Sequence, residues 1–329
     1  MRVVITGGAG FLGRRLARAL LARGRLVGPS GGPMVIERVV LLDLVRADAE
    51  GDPRIEVLAG DLADDTLLRE AFGTDTASVF HLAAVVSAQA EADFDLGMRV
   101  NLDATRRLLD ACRALARPPR LVSTSSVAVY GGALPDPVTD DTALRPQSSY
   151  GAQKAMGELL VADYTRRGFV DGRVLRLPTV TVRPGKPNRA ASSFASGIVR
   201  EPLAGVDAVC PVFPDTPVWV LSPRRAVEGL VLGHELPSAA LGEIRSVNVP
   251  GLSVTAAEMV RALAEVAGPA VAARVRWEPD PLVQRIVGSW PPRWSVSRAE
   301  RLGFEGDPDF ASVVRAYVQD ELGGAVPAP

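Results

Sequence analysis

Tyr150 and Lys154 stand four residues apart in Tyr150-Gly151-Ala152-Gln153-Lys154, which puts both side chains on one face if the segment is a helix. An ordinary phenol has a pKa near ~10 and is a poor base at neutral pH. A neighbouring ammonium favours the phenolate, and so does a cationic hydride acceptor. The pair therefore predicts a base that takes a proton from an alcohol while hydride leaves the same carbon. Such a pair is common on helices, and Ser126 sharpens it. This hydroxyl closes the run Ser123-Thr124-Ser125-Ser126, after Leu121-Val122, which reads as a strand. Strand ends on the carboxyl edge of a parallel sheet are where ligands gather, so Ser126 can hold a substrate oxygen beside Tyr150. The same serines also suit a turn or a cap. A serine nucleophile is not expected, because neither His81 nor His234 is placed by sequence to activate one.

A hydride acceptor needs a site, and the N-terminal segment predicts one. Thr6-Gly7-Gly8-Ala9-Gly10-Phe11-Leu12-Gly13 follows the apolar run Val3-Val4-Ile5 and opens a helical pattern. Gly7 permits a tight turn, Gly10 lets backbone approach a pyrophosphate, and Gly13 lets the helix pack closely on the sheet, with Phe11 and Leu12 in the helix's first turn. Asp43 ends the next strand, where a carboxylate can accept both ribose hydroxyls of an adenosine. It would repel the extra phosphate of NADP, so NAD is the expected cofactor. An aspartate there also suits a turn. Asp43 lies 30 residues beyond Gly13, against the usual ~20, and Pro29-Ser30-Gly31-Gly32-Pro33 reads as an inserted loop. Asp61-Leu62 follows a third strand. Asp61 can bond the adenine amino group while Leu62 packs on the ring, and it equally suits a turn or helix cap. Leu82-Ala83-Ala84 ends a fourth strand with small residues against which a cofactor can lie, and His81 before it reads as a packed histidine.

The elements that must position these groups alternate. Val3–Thr6, Val39–Leu42, Ile55–Leu58, Ser78–Leu82, the segment from Leu121 and Arg173–Leu177 read as strands. Phe11–Ala22, Phe94–Leu115 and Tyr150–Arg167 read as helices. The expectation is an α/β chain with a doubly wound, Rossmann-type parallel sheet over 1–178, which carries the cofactor and the catalytic residues. Beyond about Thr179 the pattern loosens into proline-rich loops around Ala256–Val266 and Phe310–Leu322. A smaller C-terminal α/β substrate-binding region over 179–329 is expected, with some interleaving of the two.

Composition narrows the function. Lys plus Arg number 37 and Asp plus Glu 38, for a net charge of -1, so nothing points to nucleic acid or a membrane surface as a partner. Cys112 and Cys210 are isolated and expected to be reduced, and two histidines offer no zinc cluster, so no metal is expected. No segment has the ~20 apolar residues of a membrane span. A cytoplasmic location follows by default.

The glycine turn, Asp43, Asp61-Leu62, Leu82-Ala83-Ala84, Ser125-Ser126, Tyr150 and Lys154 together resemble the extended short-chain dehydrogenase/reductase family, over essentially the whole chain. That resemblance implies a catalytic set of Ser126, Tyr150 and Lys154. It also adds Ser125, Asn101 and Pro178 to the cofactor residues, Asn101 as support around the catalytic lysine and Pro178 as part of the strand end laid against the nicotinamide carboxamide. A homodimer through Phe94–Leu115 and Tyr150–Arg167 is a further implication. Gln89–Gly97, Gln147–Tyr150, Val182–Asn188 and Trp219–Arg225 are similar to the branch of that family that oxidises carbon 2 of a four-carbon sugar acid, D-erythronate. Two departures separate the chain from other branches. Val127-Ala128 follows Ser126 where dehydratases carry an acidic pair, and Thr216-Pro217-Val218-Trp219 stands where nucleotide-sugar epimerases carry arginine-aspartate. A small acid needs a cation, for which Arg183 and Lys186 are the candidates, ahead of Arg224 and Arg225. Asn188, Ser193, Ser87 and Gln89 are candidates for the substrate hydroxyls, beside Ser126 and Tyr150. The alternative activity is a nucleotide-sugar epimerase that retains its NAD.

Overall fold

Seven strands form the central sheet of the computed structural model, which describes residues 1–185 and 190–326. Their spatial order is Ser246–Asn248, Asp171–Leu177, Arg120–Ser126, Thr76–His81, Arg2–Thr6, Arg38–Asp43 and Ile55–Ala59. The registered pairs are parallel. A parallel sheet covered on both faces needs near-continuous apolar strands, and Val3, Val4, Ile5, Val39, Val40, Val79 and Phe80 are accordingly fully buried. Leu68, Leu108, Leu109, Cys112 and Val161 pack from the helices onto the strands Val4, Val40, Val79 and Leu121 occupy.

The chain divides into two compact units, and the division is not a single cut. The first holds 1–132, 143–176 and 227–248, and the second holds 133–142, 177–226 and 249–329. The second unit has its own core, in which Phe194, Ile198, Val220, Met259, Leu263 and Val314 meet. Its three-stranded sheet sets Pro217–Leu221 antiparallel to Leu252–Thr255 and parallel to Thr179–Val180. The helix Ala256–Ala267 there begins with a reciprocal capping box between Thr255 and Glu258.

Local structure departs from the sequence reading in three places. The expected loop at 29–33 is the turn of a short hairpin, Arg25–Val27 against Pro33–Val35. The expected long helix from Phe94 is interrupted: α-helix Phe94–Gly97, π-helix Met98–Asp103, then α-helix Ala104–Arg113. The proline-rich stretch after Thr179 contains the helix Phe194–Leu203, and Pro223–Glu235 is also helical. No helix among the described residues is long and apolar enough to cross a membrane.

Candidate active site

The catalytic helix is Ser149–Arg166. Ser148 caps it by accepting from Gly151 N at 3.1 Å, and Glu91 accepts from Ser149 N at 2.9 Å. Gly151 must lack a side chain, because a Cβ there would run into the Ala128 carbonyl. That close approach brings the start of the helix against the turn Val127–Val129, which follows Ser126. The Ser126 hydroxyl stands near the Tyr150 phenol and favours its ionised form, and its Oγ accepts from Ala128 N at 3.1 Å. Lys154 donates to the Thr124 carbonyl at 3.0 Å, and its Nζ lies 5.9 Å from the centre of the Tyr150 ring. The three expected catalytic residues are thus brought together.

Burial sets their electrostatics. It pushes the Tyr150 phenol up to about 12, against the pull of the Ser126 hydroxyl. It also pushes the Lys154 ammonium down to about 8, with the Glu158 carboxylate opposing. The expectation that Lys154 lowers the Tyr150 phenol is not met in the chain by itself, because desolvation outweighs every other influence on the ring. His81 is held neutral, at about 3, by burial and by the Lys154 charge.

The glycine turn has the shape a pyrophosphate needs. Gly7 adopts φ +72, and a Cβ on it would stand 2.8 Å from Ala83 N. A Cβ on Gly13 would collide with the Gly7 carbonyl and sit 2.9 Å from Gly8 Cα. The helix Phe11–Arg23 starts at Gly10 with no side-chain cap and no acidic residue in its first turn. The helix's own first turn therefore sets no side-chain anion against its N–H groups and the positive end of its dipole. Asp43 ends its strand beside this turn and accepts from Ala9 N at 2.9 Å. These residues fit a dinucleotide.

Other expected cofactor residues are engaged within the protein. Asp61 accepts from Ala63 N at 2.9 Å and pairs with Arg99, so it serves the turn, while Asp64 caps the helix that follows, and Leu62 beside Asp61 is buried. Leu82 and Ala83 follow the strand Thr76–His81, Ala83 N donating to Thr6 Oγ1 at 3.2 Å, and Ala84 comes next in partly buried coil. Asn101 lies in the π-turn. It clamps Val85 through both backbone groups, at 2.8 and 3.0 Å, and donates to Gln153 Oε1 at 2.8 Å. It therefore reaches the catalytic helix through Gln153 and not through Lys154. Ser125, the neighbour of Ser126, donates to the buried Glu158 at 2.5 Å. Sequence reasoning missed Gln153 and Glu158, although Glu158 is legible as one helical turn beyond Lys154.

Ser87 and Gln89 lie on the helix Ser87–Ala92, whose Glu91 holds the start of the catalytic helix. In the second unit, Pro178 is buried, and a Cβ on Gly251 would press on its ring at 2.9 Å. Ser193 ends the turn Ala191–Ser193. Arg183 is clamped by its backbone: its N–H donates to Ser196 Oγ at 3.0 Å, and its carbonyl accepts from Arg200 at 2.8 Å. Its half-buried guanidinium has no hydrogen-bond or ion-pair partner among the described residues, and Arg200 is the neighbouring charge. Arg224 and Arg225, by contrast, pair with Asp320 at 2.7 Å and Glu305 at 3.0 Å. Lys186 and Asn188 lie outside the described residues. Among the described residues no cluster of three or more His, Cys, Asp or Glu side chains could hold a metal.

Residues 3–219 match the model of the NAD dependent epimerase/dehydratase family. The chain is 64% identical over 320 residues to a D-erythronate dehydrogenase of Cupriavidus necator, covering 97% of this chain and 98% of that one. It is 45% identical to a D-erythronate dehydrogenase of Haemophilus influenzae, covering 98% and 100%. Among solved structures it is similar to a nucleoside-diphosphate-sugar epimerase from Agrobacterium tumefaciens, with 41% identity, TM-score 0.91 and coverage of 99% and 96%.

Proposed function

Because the chain belongs to the NAD-dependent epimerase/dehydratase family, we propose that it is an oxidoreductase that takes hydride from the C2 hydroxyl carbon of a small sugar acid, converting D-erythronate to 2-dehydro-D-erythronate. NAD, when bound, supplies the hydride acceptor and a positive ring near the phenol. Gly7, Gly10, Phe11 and Leu12 would hold its pyrophosphate, and Asp43 its adenosine ribose. Ser126 holds the substrate C2 oxygen by hydrogen bonding. Tyr150, as the phenolate, accepts the C2 hydroxyl proton as hydride leaves C2 for the cofactor, and Lys154 favours that reactive phenolate by its charge and would bond the nicotinamide ribose.

The observation that carries the chemistry is the nearness of the Ser126 hydroxyl to the Tyr150 phenol, with Lys154 held at the Thr124 carbonyl. Arg183 supports the substrate class, since a half-buried cation without a protein anion is suited to one carboxylate. The identity with D-erythronate dehydrogenases supports the acid itself. A cytoplasmic location and a homodimer belong to this reading. The free thiols Cys112 and Cys210 support the first, and exposed Phe94, Met156 and Leu159 support the second.

The similarity to a nucleoside-diphosphate-sugar epimerase favours one competing activity. One assay separates them. Purified protein with NAD and a panel of short aldonic acids is expected to form one NADH per D-erythronate oxidised. Absence of NADH across the panel, with NAD retained through purification, would establish the epimerase reading instead.

A further inference from the structure

We propose that Glu158 is a positioning residue of this active site: its buried carboxylate ties the strand end at Ser125 to the helix that carries Tyr150 and Lys154, and sets a negative charge one helical turn from Lys154. Glu158 follows Lys154 by four residues and Tyr150 by eight, so all three share a helix face. The carboxylate is almost fully enclosed and receives hydrogen bonds from three other elements. Ser125 donates to it at 2.5 Å from the strand Arg120–Ser126, and Ser246 at 3.1 Å from Ser246–Asn248. Arg176, from Asp171–Leu177, donates in a fork, with Nη2 at 2.6 Å. Arg176 is itself fixed by Tyr130, whose hydroxyl donates to Asn248 at 3.0 Å.

The consequence for chemistry runs through neighbours of Ser125. Thr124 presents the carbonyl that holds Lys154, and Ser126 presents the hydroxyl nearby that favours the Tyr150 phenolate. A strand anchored at the residue between them has little freedom to move either group. The charge acts separately. Lys154 is faced by Tyr150 and Glu158 on its own helix, by neutral His81 from the strand Thr76–His81, and by the Thr124 carbonyl. Arg176 is neutralised by Glu158. Glu158 is thus the anion that opposes the loss of the Lys154 proton. Removing it alone would leave Arg176 buried without an anionic partner, whereas exchanging both for apolar groups of similar volume is often tolerated.

The electrostatic half is tested by NAD binding in calorimetry across pH, which requires no substrate and rests on the cofactor, not on the sugar-acid reading; the anchoring half is tested by kcat with D-erythronate and rests on that reading. In the unmodified chain NAD affinity is expected to weaken as Lys154 loses its proton. In Glu158→Leu/Arg176→Met that midpoint is expected to fall by about one pH unit, a roughly tenfold change in the proton equilibrium. Ser125→Ala keeps both charges and is expected to leave the midpoint in place while lowering kcat about tenfold, the size of one lost hydrogen bond. Ser125→Thr is expected to restore it. An unmoved midpoint in the folded double variant would overturn the electrostatic half. Wild-type kcat in Ser125→Ala would overturn the anchoring half, and this variant folds without any change in buried charge.

Discussion

Burial works against both halves of the Tyr150–Lys154 pair, raising the phenol to about 12 and lowering the ammonium to about 8. The protein alone therefore stores a protonated tyrosine beside a reluctant cation, and a second positive charge at the nicotinamide is what the phenolate still needs. Tyr150→Phe removes the proton acceptor and keeps the ring, so turnover is expected to fall by roughly 10²–10⁴-fold. NAD affinity should stay within about twofold of the parent, which a calorimetric titration checks. Lys154 also carries a stability cost. Its folded pKa of about 8 lies below the ordinary 10.5, so the unfolded chain binds the extra proton between those values. The cost is therefore full below about pH 8 and fades as pH rises towards 10.5. Lys154→Met is expected to stabilise the cofactor-free chain at neutral pH, by about 3 kcal/mol at most, and to abolish turnover. Urea unfolding that shows no gain at pH 7, or a gain that grows with pH, contradicts that balance.

At the scale of elements, the glycine turn and its helix separate two kinds of glycine. Gly13 has no room for a methyl group, because the Gly7 carbonyl occupies the place of its Cβ. Gly24 caps the other end of the same helix at φ 70 with nothing within 4 Å. Gly13→Ala is expected to weaken NAD binding by more than about tenfold, since helix and turn must part. Gly24→Ala should cost only about 1 kcal/mol of stability, the strain of a left-handed alanine, and leave the affinity unchanged. Comparable affinity in both variants would show that the turn does not hold the dinucleotide. The π-turn at Met98–Asp103 was not legible from periodicity, because Leu102, Leu108 and Leu109 are equally compatible with one continuous α-helix. Its extra residue serves Asn101, whose amide holds Val85 and Gln153, and π-turns are often found where a helix serves a site.

For the whole molecule, the exposed apolar residues of the helices beside the site bear on assembly. Leu159 is 68% exposed and Phe94 58%, and Met156 is also exposed, one turn before Leu159 on the catalytic helix. These exposed residues are what supports the proposed homodimer. With the proposed homodimer using this face, Leu159→Arg is expected to convert dimer to monomer in sedimentation velocity, with NAD affinity retained. A parent chain that sediments as a monomer at assay concentrations would remove the dimer from the reading.

The sequence by itself determined the groups whose chemistry is local. A glycine turn between an apolar strand and a helix, a tyrosine and lysine one turn apart, and a serine at a strand end are each defined within a single element, where backbone geometry translates spacing directly into position. Alternating apolar runs likewise determined the parallel sheet, because its strands must be buried on both faces. Tertiary structure alone decided the partners. Ser125 and Ser126 are indistinguishable as neighbours in sequence, yet packing sets one against Glu158 and the other by Tyr150. Asp61 meets Arg99, Asn101 meets Gln153, and the Arg183 guanidinium meets no anion among the described residues, while Arg224 and Arg225 are paired. Each of these outcomes depends on residues far apart in the chain and on the register that brings them within hydrogen-bond reach. A charge's role depends on which opposite charge packing leaves beside it, and no single element's pattern contains that information.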